Sequence, residues 1–357
     1  MNIEMLFIAV AAFLSIILIL VVAHEFAHYL AARLFGIIPQ SFSVGMGPEI
    51  AAHTDKQGTR WKLSLLPIGG YVKFRGEMHP VSTKDSGDFA DLERWKRSII
   101  VAAGPLTNLV IAGLIFLGTA FAFGYNQVTP DISSVDAGSP AEKAGIKAGD
   151  RIIQWEDSEN PEIRNLVRST LINTDENIRI KIVRGSENLN KEINVVPRKI
   201  TDKDNNSAVV GYSGLNFNIE RKSVRSLEEV IDISVVETGS LLILQAKATY
   251  QIITGKRDLS DLTGPVRMAK ISGEQAQLGW RHLIYFAGMV SIAIGFMNLL
   301  PIPGLDGGYL ALYAFESIRQ KNIEEKTLKG MMIAGYVIIG MITGVAIMND
   351  AKILLVD

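Results

Sequence analysis

The sequence contains no cysteine among its 357 residues. Disulfides and thiolate metal sites are therefore excluded, and any metal must be held by histidine and carboxylate. Histidine is scarce too, with five in the chain. Excess charge of either sign is missing: 36 Lys and Arg against 37 Asp and Glu give a net charge of −1, which argues against nucleic acid as a partner. Long repeats and low-complexity linkers are also lacking. What the chain has in abundance is apolar residues, at 48% with a mean hydropathy of +0.22, unusual for a soluble protein of this length.

Four runs, about 6–29, 99–123, 282–300 and 329–349, each offer close to the roughly 18 to 20 apolar residues that a helix needs to cross a bilayer core. The first lacks a basic n-region and a cleavage site, so it reads as a retained span rather than a signal peptide. The segment 30–98 is rich in basic residues, among them Arg33, Lys62, Lys73 and Arg97, and the connection before the last span carries Arg319, Lys321, Lys326 and Lys329. The positive-inside rule puts both on the cytoplasmic side. Both termini and the long insert 124–281 then lie on the other side.

Four parts follow. Residues 1–123 form an N-terminal membrane part with two spans; 282–357 form a C-terminal one with two more. Between them, 124–223 carries short β-like runs, ISSV at 132–135, RIIQW at 151–155, IRIKIV at 178–183 and INVV at 193–196, separated by turn residues. A β-rich domain is predicted over about 127–200. Residues 224–281 form a helical segment at the membrane surface, opening with an amphipathic helix over about 224–254 that rests on the bilayer or on the β domain.

The chemistry concentrates at the end of the first run, in HEFAH. His24 and His28 are spaced i, i+4, which brings both rings to one helical face and lets both nitrogens reach one zinc ion. Glu25 follows directly and can serve as general base. Ionisable groups in a spanning helix cost at least about 2.5 kcal/mol each on insertion scales, so three in five positions point to function rather than packing. Zinc catalysis needs a third protein ligand and one open position. Asp306 is the outstanding candidate, in NLLPIPGLDGG at 298–308, where Pro301, Pro303 and Gly304 break an apolar run; irregular backbone at membrane depth is tolerated where it lines a polar cavity. The competing reading makes Asp306 an N-cap. The run 62–74, around Gly69 and Gly70, suits either a β element dipping toward the metal or an ordinary cytoplasmic hairpin. His53, His79 and His282 fit no ligand spacing.

HExxH on the first span with Asn-Leu-x-Pro-x-Pro-x-Leu-Asp-Gly-Gly on a later one resembles the site-2 protease family. GGYVKFRGE at 69–77, AAGPLTN at 102–108 and LTGPVRMA at 262–269 resemble its bacterial regulator of sigma-E protease branch. The resemblance implies zinc ligands at His24, His28 and Asp306, a catalytic base at Glu25 and a substrate-positioning residue at Asn298. It also implies a re-entrant β element at Gly69 and Gly70, and transmembrane, single-span substrates met in the bilayer of the bacterial inner membrane. GSPAEKAGIKAGDRIIQW at 138–155 resembles a PDZ domain, which binds extended peptides by strand addition or here filters substrates by size. Only one such signature is present, and VGYSGLNF at 210–217 resembles the tail that usually follows a second, so 124–223 is expected to be the PDZ-like domain with a C-terminal strand extension. The fold expected is a polytopic α-helical membrane protein with four transmembrane helices and an inserted β-rich PDZ-like domain. Its expected roles are regulated intramembrane proteolysis in envelope stress signalling and clearance of signal-peptide remnants. A PDZ-bearing scaffold and a zinc transporter are the rival readings; a transporter needs neither a base beside its ligands nor a β insert.

Overall fold

A computed structural model describes residues 3–76, 88–159, 161–172, 177–201 and 207–356. His79 lies outside them. In chain order the helices are α1 (Ile3–Leu34), α2 (Arg94–Phe123), α3 (Pro140–Lys143), α4 (Ile163–Ile172), α5 (Leu227–Ile253), α6 (Pro265–Gln277), α7 (Trp280–Leu299), α8 (Asp306–Arg319) and α9 (Glu325–Val356). The strands are β1 (Ser41–Thr54), β2 (Arg60–Lys73), β3 (Tyr125–Val135), β4 (Arg151–Trp155), β5 (Ser158–Glu159), β6 (Asn177–Arg184), β7 (Glu187–Asn194), β8 (Val196–Thr201), β9 (Ser207–Tyr212) and β10 (Leu215–Lys222). They fall into two compact units, Met1–Phe116 with Thr263–Asp350, and Leu117–Leu262 with Ala351–Asp357.

In the first unit, α1, α2, α7 and α9 are long and apolar enough to cross a membrane. Only 17 to 33% of each apolar window is buried, and Phe7, Ile19, Leu114 and Ile333 stand exposed. Such a surface suits hydrocarbon, which has no preference for hiding apolar groups. The protein is an integral membrane protein. Small residues bring the helices together: a Cβ on Gly295 of α7 would lie 3.0 Å from the Pro105 carbonyl oxygen of α2, and one on Gly288 would lie 2.7 Å from the Phe116 ring. Ser291 donates its hydroxyl to the Asn108 carbonyl at 2.7 Å, an interhelical bond of the kind that supplements packing in lipid.

β1 and β2 make a sheet by doubling back. Segment 41–44 pairs in parallel with 60–63 and antiparallel with 70–73, while 51–54 pairs antiparallel with 60–63. The order across the sheet is therefore 51–54, 60–63, 41–44, 70–73, with 70–73 at one edge. The turn is fixed by Asp55, which accepts from the Gln57 and Thr59 backbone N–H groups and the Trp61 indole. Phe42 and Trp61 pack with Phe26 and Tyr29 of α1, their ring centroids 5.0 to 6.2 Å apart, which docks the sheet beside HEFAH.

The segment 224–281, expected as an amphipathic helical segment, holds α5 and α6, which belong to different units. α6 belongs to the first unit, where Met268 and Ile271 pack with Ile16, Leu20 and Phe286 and Gly273 lies against Ala9. Its N-terminal N–H groups, from Gly264, Val266 and Arg267, donate to the buried carboxylate of Asp350 near the end of α9 at 2.8 to 3.2 Å, a favourable place for a negative charge. Further back along α9, Gly335 and Tyr336 bear on Pro303 and Gly304.

α5 belongs to the second unit. Its buried Glu237 receives Arg168 at 2.7 Å and Arg164 at 3.2 Å from α4, and Gln251 donates to the Ile172 carbonyl. The buried face of this helix meets α4 of the β domain, while Leu227, Val235, Ile243 and Ile253 stand exposed. The main sheet runs β10-β3-β4-β6-β7, with β5 on β4 and a separate β8-β9 pair. Ile132, Ile152, Ile178, Ile180, Ile182, Ile193 and Trp155 fill its core. Residues 210–217 lead into the strand that ends this unit: Leu215 and Phe217 pack on that core, and β10 pairs antiparallel with β3 from Leu215↔Val135 to Lys222↔Tyr125. In KAGD, buried Asp150 accepts from Arg184 at 2.7 and 2.8 Å and from the Lys147 N–H. Burial would push its carboxyl up, yet these bonds hold it below the usual carboxylate value.

Candidate metal centre

α1 carries His24, Glu25 and His28 on its penultimate turns, and α8 begins at Asp306. Leu305, not Asp306, occupies the N-cap position, and no side chain caps the helix. The N-cap alternative is thus set aside: Asp306 is the first helical residue. The loop before it is tight, with Gly304 at φ 96°. A Cβ on Gly307 would lie 2.3 Å from the Leu299 and Leu300 carbonyls, and one on Gly308 would lie 2.3 Å from the Ile302 carbonyl oxygen. The two glycines after Asp306 let α8 fold back onto the end of α7.

His24 Nε2 lies 3.0 Å from Asp306 Oδ2, His28 Nε2 lies 3.4 Å from it, and the two nitrogens are 3.1 Å apart. Bonds of roughly 2.0 to 2.1 Å in a tetrahedral zinc site put ligand atoms about 3.3 Å from one another, so this triangle has the required size. Both histidines are buried, and Asp306 Oδ2 is a buried atom with no hydrogen-bond partner. Three lone-pair atoms held this close, one of them an orphaned carboxylate oxygen, repel unless a cation sits among them. Gly104 of α2 provides the space: a Cβ there would lie 2.3 Å from His28 Nε2 and 2.7 Å from His24 Nε2. The residues fit a zinc ion on one side and keep that side open.

Outer contacts orient the set. His28 Nδ1 donates to the Ile100 carbonyl at 2.8 Å, which reserves Nε2 for a metal. Glu25 is half-buried, and its Oε2 accepts the backbone N–H of Val72 at 2.9 Å. Because residue 73 turns its carbonyl inward to the Gln40 N–H, the alternating backbone groups of 70 and 72 face the HEFAH helix. A Cβ on Gly70 would lie 2.7 Å from the Ser43 carbonyl, so a glycine here keeps the edge segment flush. Gly69, at φ 78°, turns the chain into it. Asn298 sits half-buried in the last turn of α7, with no side-chain hydrogen bond among the described residues. His53 is exposed in β1 and His282 is exposed at the start of α7; neither approaches the centre.

Gly104, Asn108, Ile100 and Val72 are residues of the centre that the sequence reading did not assign. Two of them stand in AAGPLTN, where a glycine and an asparagine four apart in an apolar span share one face. That is the available signal.

A spanning core with a histidine and carboxylate centre in it defines a class, the membrane metalloprotease. The profile of peptidase family M50 matches residues 12–342, and the chain belongs to that family. Three bacterial proteins named "putative zinc metalloprotease" are similar to it along nearly their whole length. That of Rickettsia conorii is 35% identical, covering 97% of this chain and 99% of the relative. That of Agrobacterium fabrum is 34% identical, covering 88% of each, and that of Clostridium acetobutylicum is 30% identical, covering 96% of each. The chain is a zinc metalloprotease of the site-2 protease type, which removes the scaffold and transporter readings.

Proposed function

We propose that this zinc metalloprotease hydrolyses peptide bonds in or beside transmembrane segments, with His24, His28 and Asp306 as zinc ligands and Glu25 as the base. The observation that carries the proposal is the triangle of Nε2, Nε2 and Oδ2 atoms at 3.0 to 3.4 Å, inside a unit whose surface is suited to lipid. When bound there, zinc supplies Lewis acidity that polarises the scissile carbonyl and lowers the pKa of water. Glu25 takes the proton of the attacking water and returns it to the leaving amine. Asn298, free among the described residues, turns toward the substrate backbone and helps steady the oxyanion.

A transmembrane substrate arrives with its peptide groups bonded inside a helix and must be unwound. The edge segment 70–73 offers outward backbone groups beside Glu25, so a substrate strand added there recovers hydrogen bonds while its carbonyl is presented for attack. Gly69 and Gly70 keep that edge open. The substrates we infer are single-span proteins of the bacterial inner membrane, cut for envelope stress signalling or for clearance of signal-peptide remnants. Both termini and the β domain lie outside the cytoplasm in this reading.

The second unit is read as a PDZ-like domain. Support comes from a cavity of about 170 Å³ lined by Val167, Thr170 and Leu171 of α4, Gly211 and Tyr212 of β9, Ser213 and Gly214, and Leu215 and Phe217 of β10. β10 pairs on one side only among the described strands, so an extended peptide added to its outer edge sets a side chain in that cavity.

The test is cleavage of a single-span substrate by purified protein in detergent, comparing wild type with Glu25→Gln and quantifying bound zinc. Cleavage by wild type alone, with about one zinc in each, is the expected outcome; absence of zinc under metal-replete conditions would sink the ligand assignment.

A further inference from the structure

We infer that Asn108 is a positioning residue that sets the tautomer of His24 by accepting its Nδ1 proton. The inference rests on the zinc site proposed above. Asn108 is fully buried in α2, one turn after Gly104, and its Nδ2 lies 3.4 Å from His24 Nδ1 while its Oδ1 has no hydrogen-bond partner. For His24 Nε2 to offer its lone pair toward Asp306 and His28, the ring proton must reside on Nδ1. A buried Nδ1–H needs an acceptor, and the amide of Asn108 is the group in place. The two ends of an amide are nearly isosteric, so a half-turn about the last side-chain bond presents Oδ1 to His24. That one rotation satisfies both the imidazole proton and the orphaned oxygen.

The two histidines are then held by different means. His28 leans on a backbone carbonyl, which substitution cannot remove. His24 leans on a side chain, whose reach is set by α7: Gly295 lies against the Asn108 Cβ, and Ser291 bonds the Asn108 carbonyl. Outer partners of metal-bound histidine typically change metal affinity 10 to 100-fold when removed.

Aspartate and leucine substitutions of Asn108 separate the roles of this side chain. The carboxylate introduced by Asn108→Asp accepts in the same place but cannot donate an amide proton, whereas a leucine does neither. Zinc affinity of the full-length protein, read by competition with a chromogenic chelator, is expected to fall roughly 10 to 100-fold in Asn108→Leu and to stay within about threefold of wild type, or tighten, in Asn108→Asp. The visible spectrum of the cobalt-substituted protein follows the same order, unchanged in Asn108→Asp and altered in Asn108→Leu. Equal loss in both variants means that the amide donates, and equal retention means that it is filler; either overturns the inference. If Asn108→Leu does not fold, Asn108→Asp decides alone, with a loss of about tenfold counting against. A wild type that binds no zinc fails the ligand assignment itself, before any variant is compared.

Discussion

The buried acids of the β unit and the acid of the metal centre are met by opposite kinds of neighbour. In the β unit isoleucines are inside, and the buried charges are matched by arginine: Asp150 by Arg184, Glu237 by Arg164 and Arg168. In the spanning unit many large apolar residues face outward; its buried Glu316 also faces Arg94 and Arg97, but the polar groups at the metal centre face one another without such neutralisation. Asp306 meets two histidine nitrogens and, among the described residues, no arginine, lysine or backbone N–H. A buried acid paired with arginine is an architectural element; one left among imidazoles is prepared for a cation that the chain itself does not supply.

Substitutions can break this contrast, beginning with the most severe. Gly104→Ala, which puts a methyl group in front of both Nε2 atoms, should abolish zinc loading and cleavage while the protein still purifies as a monodisperse species; metal analysis after size-exclusion chromatography checks it. Asp306→Ala should do likewise, whereas Glu25→Gln should keep zinc and lose cleavage by about 10²-fold or more. On the other side of the contrast, Glu237→Ala removes the buried carboxylate that Arg164 and Arg168 share and should lower the stability of the β unit by roughly 3 kcal/mol without touching zinc content. Thermal unfolding together with metal analysis would expose a failure of that separation.

A smaller effect belongs to acid. The Asp150 carboxyl is held below its ordinary value in the folded protein, so its stabilising contribution is full above the unfolded carboxylate value of about 3.9 and disappears as pH falls through the lower folded value. Unfolding temperatures should therefore drop more steeply below about pH 4 for wild type than for Asp150→Asn. An equal slope in the two would remove Asp150 from the account.

Legibility from sequence also followed the contrast. HEFAH could be read because its chemistry is local, with both nitrogens fixed by one helical turn, and the spans because hydropathy acts over roughly twenty residues. Asp306 stood out through the proline break that precedes it. Harder to see was anything depending on which distant segment comes alongside. Nothing in the order of residues says that Gly104 will lie on the imidazoles, that 41–44 will run between two segments of β2, or that Glu237 faces two arginines far back in the chain. The partner of β10 was equally out of reach: the strand beside it is β3, which does not adjoin it in sequence. The N-cap reading of Asp306 failed over a single residue, since helix starts are not resolved that finely by pattern.

The bond between Asp350 and the start of α6 gives α9 a mechanical character. This helix is held at its far end by three N–H groups of another helix and leans, several turns earlier, on the loop that carries Asp306. A rod held at two places ties those two places together. For α6 to leave its seat on α1, either the three N–H bonds must open or α9 must be dragged across Pro303 and Gly304, so the ligand-bearing loop is mechanically answerable to a helix that contributes no atom to the metal centre.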